Sequence, residues 1–236
     1  MNKGFEISSK VLKLGNKLLR QRAEPWTREE LAQTDKIGSL LEKMVDTMNA
    51  GNGTGLAAPQ VGLSKQLFIF KLDSVDESFK CPPFPLTAFF NPVIEIVDED
   101  VEKKQATGSA SSSRMLNLQK YKRSIHSATN SLPKKPTDNN TIAIWESCLS
   151  MPNYFAKVPR ARKCIVKFLD VTGKERAIEA DGIIAACLQH ENDHLLGRLL
   201  IDRLKDPNLQ LVCQDEMTDN DFNDIFTHSG DFQIVK

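Results

Sequence analysis

The chain has 236 residues, 40% of them hydrophobic, which is enough for one sizeable core with appendages and predicts one principal domain. Its 31 basic and 31 acidic residues cancel to a formal net charge of zero, a balance that argues against DNA or a membrane surface as partner. The cancellation is between blocks: Val101 to Thr141 holds eight Lys or Arg against Glu102 and Asp138, and Asp206 to Lys236 holds seven acids against Lys236 alone.

The five cysteines, Cys81, Cys148, Cys164, Cys187 and Cys213, are odd in number and lack CxxC spacing, so neither a disulfide framework nor a zinc ribbon is predicted and the compartment reads as reducing. Met1 to Lys10 contains no apolar run of signal-peptide length, and no stretch approaches a membrane span. A cytoplasmic protein is expected. A mitochondrial or other organellar location is the alternative, because Lys3, Lys10, Lys13, Lys17 and Arg20 outnumber Glu6.

In chain order, Thr27 followed by Glu30 is a capping-box start, and Leu31, Ile37, Leu40, Leu41, Met44, Val45 and Met48 recur at helical spacing up to Gly51. This predicts a long amphipathic helix whose methionines are core. Gly51 to Gly62 is too rich in glycine for a regular element and predicts a tight loop where backbone closely approaches something. Gln66 to Leu72 and Ala88 to Val97 read as strands, separated by the breaker Lys80-Cys-Pro-Pro-Phe-Pro85. From about 99 to 140 the composition turns to serine, lysine and asparagine, which buries too little to offset its ordering entropy and predicts a disordered insertion. Met115 to Lys122 is its one candidate helix.

Thr141 to Trp145 reads as a strand, and Lys163 to Val171 with Arg176 to Ala180 as a hairpin about Thr172-Gly173. Asp181 then caps a helix whose Ile183, Ile184, Cys187, Leu188 and Leu195 line an apolar face and which ends at Gly197. After Asp206-Pro207 the sequence predicts one helix near Leu209 to Met217 and a mobile acidic tail. The organisation is therefore one domain over 1–206, interrupted at about 99–140, and an acidic C-terminal extension over 207–236.

The helix after Asp181 carries Gln189-His190-Glu191-Asn192-Asp193-His194. Two histidines four residues apart aim both rings at one metal ion, and Glu191 is left beside them to handle protons. Two imidazoles are half a site, since catalytic zinc takes three protein ligands and an open position. A downstream carboxylate, Glu216, would make a zinc-protease arrangement. Upstream, Glu146-Ser-Cys148-Leu-Ser150 supplies a thiol where a strand ends, and an S,N,N set suits Zn²⁺ or Fe²⁺.

Three segments together resemble the peptide deformylase family, whose motifs are GxGxAAxQ, EGCLS and QHExDHLxG: Gly53-Thr-Gly55-Leu-Ala-Ala-Pro-Gln60, Glu146-Ser-Cys-Leu-Ser150 and Gln189-His-Glu-Asn-Asp-His-Leu-Leu-Gly197. The resemblance runs from about Val11, where Val-Leu-Lys-Leu-Gly looks like the family's first strand, through Leu204, excluding the serine-rich insertion. It implies an α+β fold, with antiparallel or mixed β-sheets packed around a central HExxH-bearing helix and a long N-terminal helix.

The resemblance also implies a metal-dependent hydrolase that removes the formyl group from formyl-methionyl nascent chains and releases formate. Cys148, His190 and His194 would hold one Fe²⁺ or Zn²⁺, which acidifies a water to attack the formyl carbon. Glu191 would act as general base and acid. Gln60 and the backbone N–H of Leu149 would donate to the oxyanion, each such donor being worth about 3 kcal/mol. The methionine side chain would enter a pocket near Thr54, Ile144, Ile183, Ala186 and Cys187, while Gly53, Thr54, Gly55 and Leu56 align the peptide as an extra strand; ordinary core packing reads alike for these apolar residues.

Asp193 and Arg160 are expected to form a buried ion pair, as in the family, and Gln189 to support the ligands from behind. Cys81, Cys164 and Cys213 read as plain thiols, and His126 and His228 as solvated. Ser147 departs from the family's glycine; if that position required φ > 0, serine would strain the loop by about 1 kcal/mol. Two other readings stay open: an HExxH metalloprotease using Glu216, and a binding protein that holds formylated peptides without turnover. A transient ribosome contact through Lys120-Tyr-Lys-Arg123 and Lys134-Lys135 is set against a solvated linker.

Overall fold

The computed structural model describes residues 5–73, 81–97, 140–206, 210–225 and 229–235. The expected insertion at about 99–140, its Met115 to Lys122 helix, its basic run, His126 and His228 lie outside those residues, save Asn140.

The capping box forms: Thr27 N–H donates to Glu30 Oε2 at 2.8 Å and Glu30 N–H to Thr27 Oγ1 at 3.2 Å. The helix it starts, α1 (Arg28–Leu31), is one turn long, and α2 (Thr34–Ala50) restarts beyond Gln33, whose ψ of 63° is not helical. One continuous helix was expected. Leu31 and Ile37 are six residues apart and fall about 120° apart around a 3.6-residue helix, so the break is what lets both reach the core, at 7% and 1% exposure.

Gly55–Ala57 forms a short strand, β1, followed by a 3-10 turn over Ala58–Val61; β2 is Leu67–Leu72 and β3 is Phe84–Ile96. From Gly55 the glycine-rich stretch is thus regular where a loop was expected, because β1 pairs antiparallel with β2, while Gly51 to Thr54 forms the turn. Val11 to Gly15 forms no strand; its amides bond outward, Leu12 N–H to the Gln60 carbonyl and Leu14 N–H to that of Ser150. β4 (Thr141–Cys148) and β5 (Met151–Ala161) make a hairpin, as do β6 (Lys163–Leu169) and β7 (Glu175–Asp181). Pro152 and Pro159 hide β5 in the sequence. They are tolerated because β8 (Leu211–Cys213) pairs only Tyr154, Phe155 and Ala156, so Pro159 faces an open edge.

The strands form two antiparallel sheets, one in the order β1-β2-β3-β6-β7-β9 and one β4-β5-β8, with β9 spanning Gly230–Val235. Helix α3 (Gly182–Leu195) touches strands of both. All its residues but Ile183 and Cys187 are buried, as befits a central helix. Asp181, expected to cap α3, makes no capping bond and pairs with Arg162 and Lys163.

Alternation along β2 builds two cores. Phe68 and Phe70 face α3 with Phe84, Phe89, Phe168, Ile184 and Leu188, and Phe68 stacks on Phe89 at 4.5 Å. Leu67 and Ile69 face α2 through Ile37, Leu40, Met44 and Met48, so the methionines are core. Leu209 to Met217 was expected to be a helix, and a mobile tail to follow. Instead Leu211–Cys213 is β8, α4 covers Asp219–Ile225, and β9 adds to β7. The open edges of β5 and β7 supply the partners that local sequence could not reveal.

Candidate metal centre

Glu146 and Cys148 stand two apart on β4 and so share a face; His190 and His194 stand four apart on α3 and share another. Packing the β4–β5 hairpin on α3 brings the two faces together. The ligand atoms of Cys148, His190 and His194 all lie within 4.8 Å of one another, with Cys148 Sγ 3.4 Å from His194 Nε2. These residues are only 6%, 9% and 1% exposed.

His190 Nδ1 meets Glu146 Oε2 at 2.8 Å, which leaves Nε2 for the cluster. Glu146 accepts two bonds from Arg160, at 2.7 and 2.8 Å. Arg160 also reaches Asp193, which pairs in turn with Arg203. The expected Asp193–Arg160 pair is therefore one link of a four-member chain whose charges cancel, the condition for burying them. Gln189 exchanges hydrogen bonds with both backbone groups of Ala161 and ties α3 to β5.

Burial works against these ionised forms, and their neighbours prevail. Glu146 is held down to about 2 by Arg160 and His190, and Asp193 to about 2 by Arg160 and Arg203. Against the same penalty, His194 and His190 hold the Cys148 thiol well below its usual range, the state in which a thiol ligates. Burial disfavours charged His190, yet Cys148 and Glu146 raise it well above the ordinary imidazole range; a metal ion competes for that proton. For Glu191, burial dominates and pushes the carboxyl up to about 7, with the two histidines opposing.

Glu191 lies against β1: a Cβ on Gly55 would stand 2.2 Å from its Oε1. That is the close approach for which the glycine-rich segment has no side chain. Gln60, 2% exposed, accepts from Ala57 N–H at 2.8 Å, and its Nε2 lies 3.2 Å from Ser150 Oγ and 3.7 Å from Cys148 Sγ. Leu149 occupies the β4–β5 turn, where its carbonyl accepts from Lys13 Nζ at 2.7 Å; its N–H makes no hydrogen bond among the described residues.

A cleft of about 690 Å³ opens beside the cluster, lined by Gly53, Thr54, Gly55, Ile144, Ile183, Ala186 and Cys187 together with Gln60, Leu149 and Glu191. Ile183 and Cys187, the two incompletely buried residues of α3, both line it. Leu56 does not: it is 0% exposed and packs in the α2 core, its backbone paired with Ile69. Glu216 sits exposed in a 3-10 turn outside the ligand cluster.

The family model for polypeptide deformylase matches residues 8–210. The chain belongs to the peptide deformylase family. It is 34% identical over 194 residues to the peptide deformylase of Pelagibacter ubique, covering 82% of this chain and 84% of that protein. It is 31% identical to peptide deformylase 1 of Bordetella pertussis, covering 83% and 87%. Among solved structures, a ligand-bound class I type b peptide deformylase from Acinetobacter baumannii aligns with a TM-score of 0.60 at 26% identity, over 85% of this chain and 100% of that one. A peptide deformylase from Legionella pneumophila aligns at 0.56 and 30%, over 85% and 87%. Deformylases are metal-dependent hydrolases of formyl-methionyl peptides. The donor set here fits such an ion: a thiol held ready to ionise and two imidazoles, one fixed from behind by a carboxylate.

Ser147, where deformylases carry glycine, is unstrained. Among the described residues only Asn52, Asn91 and Asn153 have positive φ without being glycine, and Ser147 lies in β4 paired with Phe155. Sequence reasoning assigned no role to Glu146, although its two-residue offset from Cys148 on a strand was a signal. Ser150 stood in the quoted Glu146 to Ser150 motif without a role, whereas Arg203 and Gln214 were missed and nothing local marked them.

Proposed function

We propose that this chain deformylates nascent polypeptides through one divalent ion, Fe²⁺ or alternatively Zn²⁺, held by Cys148, His190 and His194. The observation that carries the reading is the convergence of those three donors within 4.8 Å, beside Glu191 and on the cleft. When bound, the ion supplies Lewis acidity, making water a nucleophile at neutral pH.

Glu191 takes the water's proton and returns it to the leaving amine; its burial supports this role, since a carboxyl buffered near neutrality can both accept and give. Gln60 Nε2 and the Leu149 N–H donate to the oxygen that becomes negative as the formyl carbon turns tetrahedral. Gln60 is well prepared for this, because Ala57 fixes its carbonyl end and so orients the amine end toward Cys148. The methionine side chain enters among Ile144, Ile183, Ala186 and Cys187. The Gly53, Thr54 and Gly55 edge, continued by the Leu56 backbone, aligns the peptide as an added strand. Products are formate and a free N-terminal amine.

The catalytic unit is 1–206 with its interruption at about 99–140, and the 207–236 extension lays β8 and β9 on its sheets. The chain works in the cytoplasm, or in an organelle, with transient ribosome contact. Among the described residues no helix is long and apolar enough to cross a membrane.

Formate release from a formyl-Met peptide tests the reading. Glu191→Ala should abolish release and keep the metal, and Cys148→Ala should lose the metal. Undiminished release by Glu191→Ala overturns the mechanism, and stoichiometric metal in Cys148→Ala overturns Cys148 as the third ligand.

A further inference from the structure

The family-matched residues end at 210, yet one residue beyond them reaches the cleft. β8 pairs Leu211, Val212 and Cys213 with Ala156, Phe155 and Tyr154, and the 3-10 turn that follows, Gln214–Glu216, starts at the cleft rim, so Gln214 joins the lining. The register of β4 on β5 shifts between Ser147 and Cys148. With Asn153 at φ 67°, Pro152 to Tyr154 arch out there toward the same rim. Gln214 is exposed, and its side-chain amide makes no hydrogen bond among the described residues.

The cleft has a polarity that orders a bound peptide. Its reacting end is buried: Cys148 is 6% exposed, Glu191 7% and Ile144 2%. Tyr154, at 44%, and Gln214 lie at the open end. A peptide with its formyl group at Glu191 and its first side chain beside Ile144 runs outward to the exposed rim, of which Tyr154 and Gln214 form part. A primary amide both donates and accepts, which matches a peptide group rather than any one side chain.

We propose that Gln214 is a binding residue for the substrate main chain beyond the second residue, so that the C-terminal segment makes this enzyme select for peptide length. The inference rests on the deformylase reading of the cleft.

Steady-state formate release from formyl-Met-Ala and formyl-Met-Ala-Ser, by the full chain and its Gln214→Ala variant, tests it. Loss of one neutral hydrogen bond predicts that the tripeptide-to-dipeptide ratio of kcat/KM falls about three- to tenfold. The fall should enter through KM of the tripeptide, because the bond is as strong before the transition state as in it. A merely structural role would lower both substrates together. An unchanged ratio, or a fall through kcat alone, overturns the proposal while leaving deformylation intact. A wild-type chain that releases formate from neither peptide overturns the reading beneath it.

Discussion

The Glu146 carboxylate faces His190 Nδ1 at 2.8 Å and so decides which imidazole nitrogen is left for the metal. Removing such an outer partner usually costs ten- to a hundredfold in metal affinity. Glu146→Gln, which keeps the shape and drops the charge, should weaken binding by about that factor in a chelator competition, and should also lower stability because Arg160 loses one of its two buried carboxylates. Unaltered affinity would show that α3 packing alone orients His190.

Gly55 and Glu191 are in such close apposition that an added methyl group would stand 2.2 Å from Oε1 and 2.6 Å from Cδ. Gly55→Ala must therefore move the carboxylate. A shift of about 1 Å at a catalytic group costs on the order of 100-fold in rate. Formate release should drop by that amount at unchanged metal content, measured on one sample.

Ser147 occupies an extended strand position and carries no positive φ. Restoring the family's glycine should bring no gain in kcat/KM. It should lower stability by about 0.5–1 kcal/mol, the entropic cost of glycine within a strand. Urea unfolding and formate release on Ser147→Gly separate the two outcomes, and a large rise in rate would contradict the unstrained geometry.

Asp170 organises the β6–β7 turn by accepting from Thr172 N–H at 2.8 Å, Lys174 N–H at 3.1 Å and Arg176 Nε at 2.7 Å. Slight burial opposes ionisation, but these bonds bring its carboxyl down to about 2, below the ordinary unfolded value. The stabilisation is therefore fully present above about pH 4 and lost as pH falls through about 2. Asp170→Ala should cost about 1 kcal/mol at neutral pH, and its deficit in Tm relative to wild type should shrink steadily below about pH 4.

The β6–β7 hairpin was legible because Thr172-Gly173 carries its own turn chemistry, with Gly173 at φ 73°. The α3 helix was legible because its apolar spacing and terminal Gly197, at φ 71°, are local signals. The break at Gln33 was not, since it answers to where Trp26 and Phe90 stand beside Leu31. Leu56 looked like a cleft residue from its motif, but strand alternation turns its side chain into the α2 core while neighbouring Gly55 faces Glu191.

By itself the sequence determined the ligand types and half of their geometry: the spacing of His190 and His194 is a property of one helix, and three motifs in order named the family. Only the tertiary structure decided that Cys148 meets those imidazoles, that Arg160 links Glu146 to Asp193, and that Gln214, beyond residue 210, reaches the cleft. The reason is physical. Helix periodicity and turn geometry are set by neighbours within a few residues, whereas the partner of an open strand edge, or of a buried charge, is set by whichever distant segment best satisfies it once water is excluded.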